Sequence, residues 1–202
     1  MILRENISQV KITPNQLTIL RIILAFVSFY LLVNNSLISN IAAFIVFTAA
    51  ALTDLWDGWL ARTGGMVSNF GKILDPIADK ILIVGVMFIF SYLGIYPFWV
   101  LIPIVVRELL VTGLRLFLLS KSLVIAAEKS GKIKVVSQII SLFFSFLCLL
   151  NRDYAHVYLS DWPLWIDQLS VFANYFFLII ATWFSLVSGW DFLRHNWRQI
   201  YA

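Results

Sequence analysis

Long apolar stretches alternate along the chain with short polar breaks. A helix needs about 20 apolar residues to cross the hydrocarbon core of a bilayer. The stretches of that length are residues 17–35, 38–60, 76–95, 97–118, 134–151 and 168–190. The breaks between them carry turn-forming residues, among them Asn34-Asn35-Ser36, Gly64-Gly65 and Tyr96-Pro97. The pattern predicts an all-α membrane protein of six transmembrane helices, with residues 1–202 forming a single domain.

Composition supports this prediction and excludes other classes of protein. The chain is 61% hydrophobic and 13% charged, whereas a soluble domain carries about 25% charged residues. One cysteine, Cys148, and two histidines leave no disulfide framework and no histidine-rich metal site. Disordered tails, secreted disulfide scaffolds and ordinary cytosolic enzymes are therefore excluded.

The distribution of charge predicts how the chain is oriented. Six spans place both termini, residues 61–75 and residues 119–133 on one side of the membrane. The cations on that side are Arg4, Lys11, Arg62, Lys72, Lys121, Lys129, Lys132, Arg194 and Arg198. The opposite side has Arg152 beside Asp153, Asp161 and Asp167. By the positive-inside rule both termini are cytoplasmic, so the net charge of +4 reflects membrane topology, and we expect no nucleic-acid partner.

Residues 1–16 precede the first apolar stretch. Leu3, Ile7 and Val10 recur at helical spacing, with charged residues between them. Such a segment is typical of a short amphipathic helix that lies on the inner membrane surface. A frayed tail is the alternative.

Four acids lie at membrane depth, where ionisable side chains usually mark function. Asp54 and Asp57 occupy the last turns of the second span, and Asp75 and Asp79 the first turns of the third. Spacings of three and four residues place side chains on one helix face. A carboxylate cluster without histidine or cysteine selects Mg²⁺ or Mn²⁺, and four carboxylates suffice for two ions that clamp a phosphoryl group. Pairing with Arg62, Lys72 and Lys80 in an interfacial charge belt is the alternative.

The residues around these acids form an ordered motif. It reads Asp54-x-x-Asp57-Gly58-x-x-Ala61-Arg62, eight residues, then Gly71-x-x-x-Asp75-x-x-x-Asp79. Small residues let a bulky ligand approach the backbone, and an arginine offers a planar fork of donors suited to a diphosphate. The motif resembles the signature of the CDP-alcohol phosphatidyltransferases, with every fixed position filled, and the resemblance extends over the whole chain.

The resemblance implies that an acceptor hydroxyl attacks the phosphorus attached to diacylglycerol in CDP-diacylglycerol, and that CMP leaves. It implies two metal ions, both bridged by Asp54 and Asp75. Asp57 would complete one site, and Asp79 would bind the other ion and act as the general base. The family also forms homodimers, and a bacterial inner-membrane location follows, with the active site facing the cytoplasm.

Contacts with the CDP-lipid are likewise implied by the resemblance. Gly58, Arg62 and Ser68 match family positions that contact the CDP group; Thr53 and Ala61 are added as neighbours. The start of the first span, Pro14-Asn15-x-x-Thr18-x-x-Arg21, resembles a family element that lines the nucleotide pocket. Without the resemblance, Pro14 and Asn15 would indicate only a helix start.

A second polar group bears on the acceptor. Arg107, Glu108 and Arg115 lie in the fourth span, and Lys132 and Lys134 open the fifth. The four cations predict a pocket for the phosphate of an anionic acceptor. Alternatively, Arg107 and Glu108 neutralise each other as a structural pair.

The string around these residues closely resembles one branch of the family, the phosphatidylglycerophosphate synthases, except that Leu109 replaces the usual aromatic residue. That branch uses sn-glycerol 3-phosphate as acceptor. Two alternatives stay open: the same chemistry with phosphatidylglycerol, inositol phosphate or serine as acceptor, and a divalent-cation transporter.

Overall fold

The structure, a computed structural model, describes residues 14–64, 69–120, 129–158 and 162–201. The described chain forms six α-helices and contains no strand. They are α1 (Pro14–Val33), α2 (Leu37–Gly64), α3 (Asn69–Tyr92), α4 (Phe98–Ser120), α5 (Lys129–Tyr158) and α6 (Leu164–Tyr201). The all-α class is therefore confirmed. The predicted surface helix over residues 1–16 lies almost wholly outside the described residues.

Within the described part of the chain, two helices are long and apolar enough to cross a membrane, over Ser130–Ala155 and Leu164–Trp197. Shorter apolar helical stretches occupy Thr18–Val33, Leu37–Thr53 and Lys80–Tyr92. Large apolar side chains also lie exposed on the outside of the molecule; Phe172 is 68% exposed and Trp183 65%. Contiguous apolar surface of this kind is rare on soluble monomers and marks contact with a membrane or partner. The protein is thus a helical membrane protein.

Two of the helices, α5 and α6, extend well beyond the predicted apolar stretches. Helix α5 runs from Lys129 to Tyr158 instead of 134–151, because its polar residues find partners that keep them helical. The Asp153 carboxylate accepts a hydrogen bond of 2.6 Å from the Asn40 side chain of α2. The Arg152 guanidinium donates to the Leu93 carbonyl oxygen at 2.9 Å.

The predicted breaks at 34–36 and 96–97 are confirmed as turns. Ser36 and Ser39 cap the start of α2 reciprocally, since each backbone N–H donates to the other's hydroxyl, at 3.0 and 3.3 Å. After α3 the chain turns at Gly94, whose φ of 73° is a backbone conformation that glycine adopts without steric cost. Backbone hydrogen bonds from Gly94 to Ser91 and from Ile95 to Phe90 complete a Schellman motif.

Helix α1 packs against both α2 and α3, while α6 packs against α4 and α5. The two groups meet in an aromatic core where the ring of Phe146 on α5 lies 4.8 Å from that of Phe90 on α3 and 5.3 Å from that of Phe47 on α2. All three side chains are buried. This packing brings the first turns of α5 and the interior faces of α3 and α4 together, which is where the polar site forms.

Candidate active site

The aspartate motif straddles the junction between α2 and α3. Asp54 and Asp57 lie on the last three turns of α2, and Asp75 and Asp79 on the first three turns of α3. At 1.5 Å per residue, all four lie roughly 9–15 Å from the end of their helix at that junction. Both pairs have same-face helical spacing. The side chains of these four residues are outside those that the structure describes.

Two polar residues near the start of α1 point into the protein. Thr18 is fully buried and Arg21 is 1% exposed, although a guanidinium buried this deeply is costly unless it is paired. Arg21 lies roughly 10 Å from the start of α1, a depth similar to that of the aspartates from their junction. Both side chains therefore face the interior of the protein, and their place in the nucleotide pocket stays a prediction.

The remaining predicted contacts with the CDP-lipid are less fully described. The half-buried Thr53 donates its hydroxyl to the Ala50 carbonyl oxygen at 2.7 Å, within its own helix. Asn15, Gly58, Ala61 and Arg62 lie on helices, with side chains outside the described set. Ser68 lies wholly outside the described residues.

The best-defined polar group surrounds the Glu108 carboxylate, and we call it the basic cluster: Lys80, Arg107, Glu108, Lys134 and Gln138. Lys134 on α5 makes a short, direct ion pair with Glu108 Oε1. Arg107 reaches the same oxygen at 3.2 Å and the Gln138 amide donates to it at 3.4 Å. Lys80 on α3 lies 4.0 Å from Oε2. Three cations thus converge on one carboxylate.

Burial makes this cluster unusual. The side chains of Glu108 and Lys134 are only 7% and 8% exposed, and that of Arg107 is 11% exposed. Among the described side chains, three cations face this one carboxylate, and the carboxylates of the aspartate motif are not part of that set. Buried cations are stabilised by anionic partners, so this group of cations is suited to contact an anion.

The structure separates the predicted acceptor residues into two groups. Arg107 and Lys134 meet in the basic cluster, and the alternative of an Arg107–Glu108 pair is also realised within it. Arg115 is exposed, and its guanidinium carbon lies 5.9 Å from the centre of the Phe192 ring. Lys132 is exposed as well. Positions 132 and 134 differ by about 200° around a helix, so only one of them faces the interior.

From the sequence, Lys80 was predicted only as part of the alternative interfacial charge belt, and Ser188 was not predicted as a site residue. Lys80 directly follows Asp79 in α3 and joins the basic cluster to the aspartate motif. Ser188 on α6 accepts a hydrogen bond of 2.8 Å from Arg107. A lysine next to a motif aspartate was a usable signal for Lys80, whereas nothing in the sequence of the long apolar α6 marks Ser188.

No group of three or more metal-ligating side chains occurs among the described residues, which do not include the side chains of the four aspartates. Their chemistry nevertheless fits a hard divalent ion, because carboxylate oxygens are the ligands that Mg²⁺ and Mn²⁺ prefer. The helical backbone through all four positions keeps each pair on one face, as a shared site requires.

Comparison with known proteins identifies the class that this fold and site define. Residues 11–190 match the profile of the CDP-alcohol phosphatidyltransferases, and the chain belongs to this family of enzymes. Among its relatives are proteins named CDP-diacylglycerol–glycerol-3-phosphate 3-phosphatidyltransferase. The one from Bacillus subtilis is 36% identical over 81% of this chain and 77% of its own length. The Mycoplasma pneumoniae protein is 35% identical over 93% and 88%, and the Rickettsia felis protein 32% over 90% and 93%.

Proposed function

We propose that the protein transfers the phosphatidyl group of CDP-diacylglycerol to sn-glycerol 3-phosphate, giving phosphatidylglycerol phosphate and CMP. The names of the relatives from three bacteria state these two substrates. Family membership alone supports the CDP-linked donor but not the acceptor. The choice of acceptor therefore needs support from the residues of this chain.

The observation that carries the choice of a phosphorylated acceptor is the convergence of three cations on one carboxylate in the basic cluster. A phosphate monoester carries about −1.5 to −2 at pH 7 and is a suitable partner for such a group of cations. Serine brings no such charge, and a phosphodiester brings about half of it. An inositol phosphate brings the same charge as glycerol 3-phosphate, and against that acceptor the choice rests on the names of the relatives. Arg107 and Lys134 are the proposed phosphate contacts, with Lys80 added; the exposed Arg115 and Lys132 would attract the anion at the entrance.

The proposed reaction requires a base close to the acceptor hydroxyl, and Asp79 is the candidate. Its carboxylate would take the hydroxyl proton while the acceptor oxygen forms a bond to the phosphorus attached to diacylglycerol. The bond from that phosphorus to the CMP oxygen breaks, and CMP leaves with the electron pair. Asp79 precedes Lys80, so the base would lie next to a cation that holds the acceptor phosphate.

Asp54, Asp57, Asp75 and Asp79 would together hold two Mg²⁺ or Mn²⁺ ions. Bound divalent ions stabilise the negative charge that develops on the entering and leaving oxygens of a phosphoryl group. The protein's own contribution is to hold the carboxylates at fixed helical positions so that the donor and acceptor meet in line.

The CDP group of the donor would lie between α1 and the motif of α2. The proposed contacts are Asn15, Thr18, Arg21, Thr53, Gly58, Ala61, Arg62 and Ser68. Support comes from the burial of Thr18 and Arg21, which gives the interior of α1 a polar surface at the depth of the aspartates.

The test is CMP release from CDP-diacylglycerol by the purified protein with Mg²⁺ or Mn²⁺. The acceptors compared are glycerol 3-phosphate, inositol phosphate, serine, phosphatidylglycerol and none. Release with glycerol 3-phosphate alone supports the proposal, and Asp79→Asn is the matched inactive control. Release with another acceptor would refute the assignment of the basic cluster and keep the class of enzyme.

We also propose the six-span topology, with both termini and the active site on the cytoplasmic side of the bacterial inner membrane. The distribution of cations supports it. Because Cys148 is the single cysteine and is buried, single cysteines introduced at positions 66, 125 and 160 would report sidedness in intact cells. The proposal requires that a membrane-impermeant thiol reagent label only position 160.

A homodimer is proposed from the family resemblance. Chemical cross-linking of the protein in its native membrane, followed by separation under denaturing conditions, would show a band at twice the mass of the chain. A single band at the mass of the monomer over a range of cross-linker lengths would refute this.

A further inference from the structure

Three contacts restrain the Arg107 side chain, and two of them are made by residues of α6. Its NH2 nitrogen donates to the Ser188 hydroxyl at 2.8 Å, and its NH1 nitrogen donates to Glu108 at 3.2 Å. The backbone of Gly189 lies directly against the aliphatic part of the same side chain. Arginine has a long, flexible side chain, so such restraint removes conformational freedom that would otherwise be lost on binding a ligand.

We propose that Ser188 and Gly189 are positioning residues that fix the plane of the Arg107 guanidinium for the phosphate of the acceptor. This proposal rests on the proposed function, since it assumes that Arg107 contacts that phosphate. It extends the acceptor site to α6, a helix that carries none of the residues predicted for the site.

The hydrogen bond to Ser188 matters because guanidinium recognition is directional. A guanidinium binds phosphate through N–H groups in a rigid planar fork. The hydrogen bonds from NH1 to Glu108 on α4 and from NH2 to Ser188 on α6 define the orientation of the guanidinium plane. Ser188 is 2% exposed, so water is not available to replace its hydroxyl. Loss of this hydroxyl would let the guanidinium of Arg107 rotate.

Gly189 supplies the space that this orientation needs. A Cβ atom at position 189 would lie 2.8 Å from Cγ of Arg107 and 3.5 Å from its Nε. Real Cβ contacts of 2.8 Å essentially never occur. Cγ lies near the backbone, so the whole Arg107 side chain would have to move, and the guanidinium with it.

The alternative is that Ser188 and Gly189 only join α6 to α4. That role would affect stability, and it would lower activity towards both substrates alike. A positioning role acts on the acceptor alone, and it acts through Arg107. The Michaelis constants for the two substrates, and their dependence on Arg107, therefore distinguish the two roles.

The experiment compares Ser188→Ala and Gly189→Ala in the full-length protein with two matched controls. Ser185→Ala removes another buried hydroxyl of α6, one whose oxygen has no hydrogen-bond partner in the structure. Gly113→Ala adds a Cβ at a helical glycine with nothing within 4 Å. Initial rates of CMP release give KM for glycerol 3-phosphate and for CDP-diacylglycerol.

We expect Ser188→Ala to raise KM for glycerol 3-phosphate about tenfold, as loss of a hydrogen bond to a charged group predicts, and to change KM for CDP-diacylglycerol less than about twofold. Ser188→Thr keeps the hydroxyl and should restore most of the loss. Gly189→Ala should act in the same direction. In an Arg107→Ala background, Ser188→Ala should have no further effect, since both changes remove the same interaction.

Equal increases in the two Michaelis constants, or an effect of Ser188→Ala that persists undiminished without Arg107, would overturn the proposal. If Gly189→Ala does not fold, the Ser188 series decides alone. The wild-type protein distinguishes failure of the positioning proposal from failure of the proposed function. If its CMP release does not depend on glycerol 3-phosphate, the proposed function itself is refuted.

Discussion

Replacing Glu108 by glutamine tests whether this carboxylate holds the three cations of the basic cluster together. The substitution keeps the size and shape of the side chain and removes its negative charge. Lys134, Arg107 and Lys80 would then face one another around a neutral amide. Because Glu108 is 5% exposed, little water is available to screen them.

The expected cost follows from the burial of these groups. Removing one partner of a buried ion pair costs about 3–5 kcal/mol. The lower end applies here, since the Lys80 side chain is 27% exposed and reaches solvent. A loss of about 3 kcal/mol corresponds to a fall in Tm of roughly 6–12 °C for a chain of 150–250 residues.

Thermal unfolding of the purified protein in detergent measures this cost. Asp191→Asn is the matched control, because the Asp191 carboxylate forms no ion pair in the described structure and lies outside the proposed site. Glycerol 3-phosphate should raise the Tm of Glu108→Gln more than that of the wild type, since its phosphate replaces the lost charge. A Tm for Glu108→Gln within about 2 °C of the control, with no larger response to the ligand, would refute this role of the Glu108 carboxylate.

Four further predictions concern catalysis, metal dependence and packing. Asp79→Asn should abolish CMP release and leave binding of CDP-diacylglycerol largely intact; surviving turnover would exclude Asp79 as the base. Lys134→Ala should raise KM for glycerol 3-phosphate at least tenfold, and Lys132→Ala should raise it much less, because only Lys134 is buried. Equal effects of the two substitutions would contradict the assignment of Lys134 to the phosphate contact and of Lys132 to the entrance. EDTA should stop the reaction and Mg²⁺ or Mn²⁺ restore it. Gly85→Ala places a Cβ 2.2 Å from a phenylalanine ring of α1 and should lower stability by about 1–3 kcal/mol, which thermal unfolding measures.

The number, type and order of the helices could be predicted because membrane-length apolar stretches are local features of a sequence. Their ends could not be predicted, because a helix does not stop at the edge of its apolar stretch. Whether α5 continues past residue 151 depends on partners supplied by other helices, such as Asn40 for Asp153. Those contacts join residues more than 100 positions apart and leave no local pattern.

The same distinction between local patterns and contacts between helices applies to the candidate site. The helical positions of the four aspartates were predictable, because their spacing is set within two consecutive helices. The different burial of Lys132 and Lys134 was not, because the sequence places both at the start of a span. The rotation of α5 against α3 and α4 decides which of them is buried. The contact of Lys80 with the Glu108 carboxylate and that of Ser188 with Arg107 depend on how α3, α4 and α6 pack together.

Asp79 and Lys80 are consecutive in α3, with Cα atoms about 3.8 Å apart, so the proposed base belongs to the same helix turn as a cation of the basic cluster. Under the proposed function, one acts on the acceptor hydroxyl and the other helps to hold the acceptor phosphate. Glycerol 3-phosphate carries both groups, and its phosphate monoester has about −1.5 to −2 charge at pH 7. Phosphatidylglycerol presents a phosphodiester with a single charge, which is a weaker partner for three cations around one carboxylate. Charge therefore favours the small phosphorylated alcohol over the lipid acceptor.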